Sequence, residues 1–138
     1  MYTHTLTWNR CDGNQWCPFL TVNLQHPHFH NLVGVYIIWH GGQNLWTVYV
    51  GQGDIANRLA AHRSDAHILQ YSSLGLFVTW ASVATQPVRD GIERYLAEQL
   101  QPRVGQAYPN VPPIGVNLPW QPGRLGALEQ NGRTSPRP

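Results

Sequence analysis

The chain contains no lysine, so all nine of its basic residues are arginine. The absence rules out the Gly-Lys-Ser/Thr ending of a P-loop, and Gly51-Gln52-Gly53 also lacks the remaining glycine of a dinucleotide fingerprint. Arginine stays charged and pairs bidentately with phosphate, which suits a nucleic-acid partner. Charge of both signs is scarce, at 12% of residues with a net charge of +2. This is far less than a strongly basic DNA-binding domain carries, so positive charge toward a nucleic acid must be local.

No apolar run approaches the roughly 20 residues of a membrane span, and the N-terminus shows no basic region followed by an apolar stretch and cleavage site. The expected location is the cytoplasm, with no membrane partner. There are only two cysteines, Cys11 and Cys17. A Gly-containing loop separates them, so a disulfide or a pair of metal thiolates is geometrically conceivable. Without a secretory signal, they are read as small buried thiols. A chain of 138 residues suits one domain that buries roughly two thirds of its unfolded surface.

Two runs dominate what is present. Gly34-Val35-Tyr36-Ile37-Ile38-Trp39 and Thr47-Val48-Tyr49-Val50-Gly51 are rich in β-branched and aromatic residues, and His40-Gly41-Gly42-Gln43-Asn44 between them is turn chemistry. The pattern predicts a β-hairpin. Strand alternation places Tyr36 with Ile38 on one face, and Tyr49 with Thr47 and Gly51 on one face. Gly51-Gln52-Gly53 reads as a tight turn, and Asp54 as the N-cap of a helix from Ile55 to about Ser64 or Asp65. Arg58 and His62, four apart, are neighbours on that helix.

Ala66 to Tyr71 reads as a short helix or irregular segment, Leu76 to Val83 as a third strand, and Val88 to Leu100 as an amphipathic helix stopped by Pro102. Glu93 borders the apolar stripe of Ile92, Leu96 and Leu100, an uncommon place for a carboxylate without a partner or cation. Tyr2 to Trp8 allows a short strand. His26, His28 and His30 would share one side of an extended chain, as a metal site requires, but Pro27 interrupts them and no Cys or carboxylate is near, which favours a His-bearing loop. The prolines and glycines after Gln101 exclude long regular elements. Leu125 to Gln130 could form one helical turn, and 131–138 reads as disordered.

Gly34-Val35-Tyr36, then Tyr49-Val50-Gly51, then Arg58 with His62, then Glu93 form an ordered set between Val33 and Gly105 that resembles the GIY-YIG nuclease family. The resemblance implies a small α/β domain of the α+β type, with a central three-stranded, mainly antiparallel sheet flanked by helices. It would span 1–120, with 121–138 a Pro/Gly-rich, partly disordered tail. It also implies a divalent-metal-dependent endonuclease acting on DNA with low sequence specificity or structure dependence, RNA being a further possible substrate. Tyr36 would help take a proton from water, Tyr49 would be a second active-site phenol, Arg58 would steady the phosphate, His62 would contact the phosphate or assist proton transfer, and Glu93 would hold one Mg2+ or Mn2+. Gln52, Arg63, Arg103 and Gln106 would contact nucleic acid, and the protein would act as a monomer. Where many members place an asparagine this chain has Gly105, so Gln106 or Asn110 would have to substitute, and the turn from Gly51 to Arg58 is about one residue shorter. The alternatives are a non-catalytic nucleic-acid-binding module on the same scaffold and a protein-interaction domain using the aromatic N-terminal segment and Pro-rich tail.

Overall fold

The computed structural model describes residues 4–105 and 107–120. The expectations for Gln106 and for 121–138 lie outside these residues. The hairpin forms from β2 (Val33–His40) and β3 (Trp46–Asp54), and β2 also pairs antiparallel with β4 (Leu76–Ser82). A two-residue strand, β1 (Cys17–Pro18), pairs with β4 through Cys17 and Val78. The sheet therefore has four strands in the order β1-β4-β2-β3, rather than the expected three. Sequence pattern could not reveal a strand this short, because alternation needs several residues to register.

The same region corrects the reading of the cysteines. Cys11 N–H donates to Gln15 O at 2.7 Å across the turn Asp12–Asn14, and Cys11 and Cys17 form a disulfide with their Cα atoms 5.1 Å apart. Local turn geometry, not the presence of a leader, brings the thiols within bonding range. The bond ties the N-terminal segment to the outer edge of β4, where Asn9 N–H also donates to Trp80 O at 3.0 Å.

Helix α1 (Ile55–His62) starts as expected, with the Asp54 carboxylate accepting from Asn57 N–H at 3.0 Å. Helix α2 (Ala66–Leu69) is a single turn, and α3 (Gln86–Leu100) begins two residues before the predicted start, with Pro87 in its first turn. Ile55 and Leu59 of α1 pack with Tyr36, Ile38 and Val78 on one face of the sheet. On the other face, Ile92, Leu96 and Leu100 of α3 pack with Val35, Ile37 and Val50. Because it is covered on both faces, β2 is buried from Gly34 to His40, which accounts for its nearly unbroken apolar run.

Two local features depart from the sequence reading. Ile38 pairs with Tyr49 but Trp39 pairs with Thr47, so Val48 is the extra residue of a β-bulge and Thr47 leaves the face that Tyr49 shares with Gly51. Gly51-Gln52-Gly53 is not a separate turn either, because β3 continues to Asp54 and Gly53, at φ 127°, bends the chain into α1.

Among the described residues of the N-terminal run, from His4 on, there is one parallel bridge, His4 with Val116, and no strand, and Asn117 of the tail supplies partners for Leu6 through both its amide oxygen, at 2.6 Å, and its amide nitrogen, at 3.0 Å. Trp39 from β2, Trp16 from the N-terminal segment and Trp120 from the tail meet edge to face, with centroids 4.6 to 5.9 Å apart. His26, His28 and His30 are not aligned: Pro27–Phe29 is a 3-10 turn, and His28 Nε2 accepts from Trp80 Nε1–H at 2.9 Å. No helix among the described residues is long and apolar enough to cross a membrane.

Gly34 lies where β2 runs closest to β4, and a Cβ there would stand 2.9 Å from the Ala81 carbonyl carbon. Gly34→Ala should therefore lower stability by roughly 1–3 kcal/mol through overpacking. Urea unfolding is the check. Reduction of Cys11–Cys17 should remove about 2 kcal/mol, the loop-closure value for so short a ring, seen as a fall in Tm with dithiothreitol that a Cys11→Ser/Cys17→Ser double variant reproduces without reductant.

Candidate active site

The predicted residues converge at the free end of β3, where α1 covers one face of the sheet and α3 the other. Tyr36 on β2 pairs directly with Gly51 on β3, and the phenol lies across the space that the glycine leaves open. A Cβ on Gly51 would be 2.5 Å from Tyr36 Cζ, so the glycine is a condition for the ring's position. Tyr49 stands two residues away on the same face, its ring centroid 6.2 Å from that of Tyr36. His62, one turn after Arg58 on α1, reaches both phenols: its ring centroid is 4.3 Å from that of Tyr49, and its Nε2 is 2.6 Å from Tyr36 Oη.

Arg58 stands close to both phenols, and its charge opposes the effect of burial on each of them. Tyr36 Oη and His62 Nε2 share one hydrogen bond of 2.6 Å, in which the phenol donates when the imidazole proton is on Nδ1. Burial, followed by the Arg58 charge, pushes His62 down to about 4, so it is a neutral acceptor at neutral pH. Burial likewise raises Tyr36 well above its ordinary value despite the opposing pull of Arg58, so the group is a phenol rather than a phenolate. Burial also raises Tyr49. The electrostatic influence of the Tyr36 hydroxyl, ahead of other causes, raises Arg58.

Glu93 comes from the opposite face of the sheet. It is only 5% exposed, with Ile92 and Leu96 beside it in the core. An open cleft of about 560 Å³ at the β3 edge is lined by Gln52 and Gly53 of β3, Arg58 of α1, Gln86 and Glu93 of α3, and Tyr108 of the tail. A cation side chain and a carboxylate thus face one solvent-filled space, backed by Tyr36 and His62.

Positive charge is local here, as the low net charge requires. Arg10 stacks on Trp16, with Cζ 3.8 Å from the ring centroid. Arg63 donates to the Phe19 and Val22 carbonyls at 3.0 and 2.6 Å, and Arg94 pairs with Glu98 at 2.8 Å. Arg89 donates to the Val83 and Ala84 carbonyls and to Gln52 Oε1 at 3.0 Å. Arg103 donates to His40 Nε2 at 3.0 Å, at the far end of β2 from Tyr36. Two of the arginines expected to contact nucleic acid lie outside the cleft lining: Arg63 ties the N-terminal segment to α1, and Arg103 packs over Trp46 and Tyr71. Gln52 does line the cleft, but its amide is held by Arg89 and by Asp90 Oδ1, at 2.5 Å from its Nε2.

Among the described residues, no three His, Cys, Asp or Glu side chains gather as a metal cluster. A divalent ion here would rest on Glu93, with water and phosphate oxygens completing its shell. Magnesium is commonly bound this way, and the open side of the cleft leaves room for it.

The sequence reading missed Tyr108. Its hydroxyl is sealed from solvent and has no hydrogen-bond partner among the described residues, and burial, with Tyr49 and Glu93 adding to it, pushes its pKa up to about 12. No periodicity marks a residue in a Pro-rich segment. The tail is routed to the cleft by Ile114, whose N–H donates to Gly91 O at 2.9 Å over a helix position with no side chain. Compared with known proteins, the chain matches no protein-family model, no curated protein and no solved structure.

The depressed His62 pKa carries a stability consequence. The unfolded chain takes up the imidazole proton near pH 6.5 and the folded chain only near 4, so stability should fall as pH drops through that window, by roughly 2–3 kcal/mol. Denaturation midpoints measured at pH 7, 6, 5 and 4 test this. A His62→Gln variant should lose that portion of the dependence.

Proposed function

We propose that the chain is a phosphodiester hydrolase acting on DNA, with a GIY-YIG-like domain. The observation that carries the reading is the pairing of Arg58 and Glu93 across one open cleft, with the Tyr36–His62 hydrogen bond of 2.6 Å directly behind Arg58. Hydrolysis needs an acceptor for the proton of the attacking water, positive charge on the phosphoryl oxygens and relief of charge on the leaving oxygen.

In this reading, water attacks phosphorus and gives its proton to Tyr36 Oη as the Tyr36 proton moves to His62 Nε2. The bond from phosphorus to the leaving oxygen breaks. His62 is suited to end this relay because it is neutral at neutral pH, and Tyr36 because a buried phenol holds no charge of its own to be quenched by Arg58. Arg58, aligned by both phenols, faces the charge that builds on the phosphoryl oxygens. Glu93 would hold one Mg2+ or Mn2+, which supplies positive charge to the phosphate and leaving oxygen when bound. Tyr49 packs on His62 and keeps the ring in the plane that Tyr36 requires.

One observation favours a second reading, a nucleic-acid-binding module without catalysis: Tyr36 is 0% exposed, so the cleft presents Arg58 and Glu93 more openly than the phenol. Gly105 weighs differently than the sequence suggested, since a Cβ there would meet nothing within 4 Å and an asparagine would fit without strain.

Purified protein incubated with single-stranded, duplex and branched DNA, in magnesium, in manganese and in chelator, separates the two readings. Cleavage should be abolished by chelator and by Glu93→Ala, and Tyr36→Phe should lower it by at least 100-fold with the circular dichroism spectrum unchanged, a typical scale for loss of a general acid–base group. Salt-sensitive binding with no strand breakage under any condition would instead select the binding module.

A further inference from the structure

The Tyr108 hydroxyl is a buried polar group with no partner among the described residues, on a residue in the wall of a cleft that also holds Arg58 and Glu93. Buried polar atoms are nearly always paired, and an unpaired one in a native structure calls for a cause such as an absent ligand. Nothing bonds this hydroxyl in place: its neighbours Tyr49 and Glu93 act on it through charge and burial. It sits on an irregular segment next to Pro109, and its residue lines the cleft, so a turn of the ring is enough to bring the hydroxyl to the open side. A phenol held neutral can only donate to an anion. The strongest anion acceptor that suits a site with an arginine on its other wall is a phosphate oxygen.

We infer that Tyr108 is a further substrate-contacting residue, its hydroxyl turning outward to donate a hydrogen bond to a non-bridging oxygen of a bound phosphodiester opposite Arg58. The inference rests on the nucleic-acid reading of the cleft for the class of ligand, but not on cleavage. The unmet hydrogen bond in the free protein is the counterpart of one made in the complex.

The test compares wild type with Tyr108→Phe, using dithymidine monophosphate, a single phosphodiester, titrated against 15N-labelled protein by NMR, with Tm measured on the same samples. Wild type should bind, and Tyr108→Phe should weaken binding by roughly 10- to 100-fold, the worth of one hydrogen bond to a charged group. Its Tm should be unchanged or higher, because the substitution removes an unsatisfied group. A residue with a merely structural role would lower Tm. Equal affinities, a wild type that does not bind the dinucleotide, or an affinity loss accompanied by a lowered Tm would each overturn the assignment. A wild type that binds with the Tyr108 effect but cleaves no DNA would sink the hydrolase reading and leave this one standing.

Discussion

The Tyr36 ring lies over Gly51, and the rest of the candidate site depends on that fit. With any side chain at Gly51 the phenol would be displaced, and with it the hydroxyl that is hydrogen-bonded to His62 beside Arg58. One backbone position thus sets the geometry of two strands and a helix. The low dielectric of the surroundings strengthens each bond in the set and also holds His62 neutral and Tyr36 protonated. Fold and chemistry are linked here by one missing methyl group.

The edges of the sheet explain why the cleft lies where it does. The N-terminal segment, pinned by Cys11–Cys17, lies along β4, and the backbone of Arg103 and Val104 donates to Thr47 and Val48 at 3.0 and 2.8 Å along β3. Covering exposed strand edges in this way prevents pairing with other chains. Past Val48 that cover departs, and β3 is left open between α1 and α3, where Gln52 and Gly53 line the cleft. The same tail returns as Tyr108 on the cleft wall before crossing α3 at Gly91. The chain therefore closes its sheet at one place and builds a pocket at the next with a single irregular strand.

Legibility from sequence varied with the kind of signal involved. The hairpin, the Asp54 cap, α3 and β4 rest on periodicity and local propensity, and they stand where those signals place them to within about three residues. Tyr36, Tyr49, Arg58, His62 and Glu93 were named from their order along the chain, and the fold brings them to one end of β3. The bulge at Val48 was not legible, because inserting one residue between well-paired neighbours leaves the composition unchanged. β1 and the disulfide were missed because both arise from a turn of a few residues packing on a distant strand. Arg63 and Arg103 drew attention for their charge, yet their partners are carbonyl and imidazole groups far away in sequence.

What the sequence determined by itself was the set of elements and the residue types available to them: three runs that read as strands, two amphipathic stretches that read as helices, the first capped by Asp54, and an arginine-only supply of positive charge. These follow from interactions within a few residues, where spacing and side-chain chemistry are sufficient. Only the tertiary structure decided which arginine faces the cleft, which imidazole is held neutral, and that Tyr108 would reach the site from a Pro-rich tail. Those outcomes depend on burial and on contacts between segments distant in the chain, and burial is a property that no residue has until the others have packed around it.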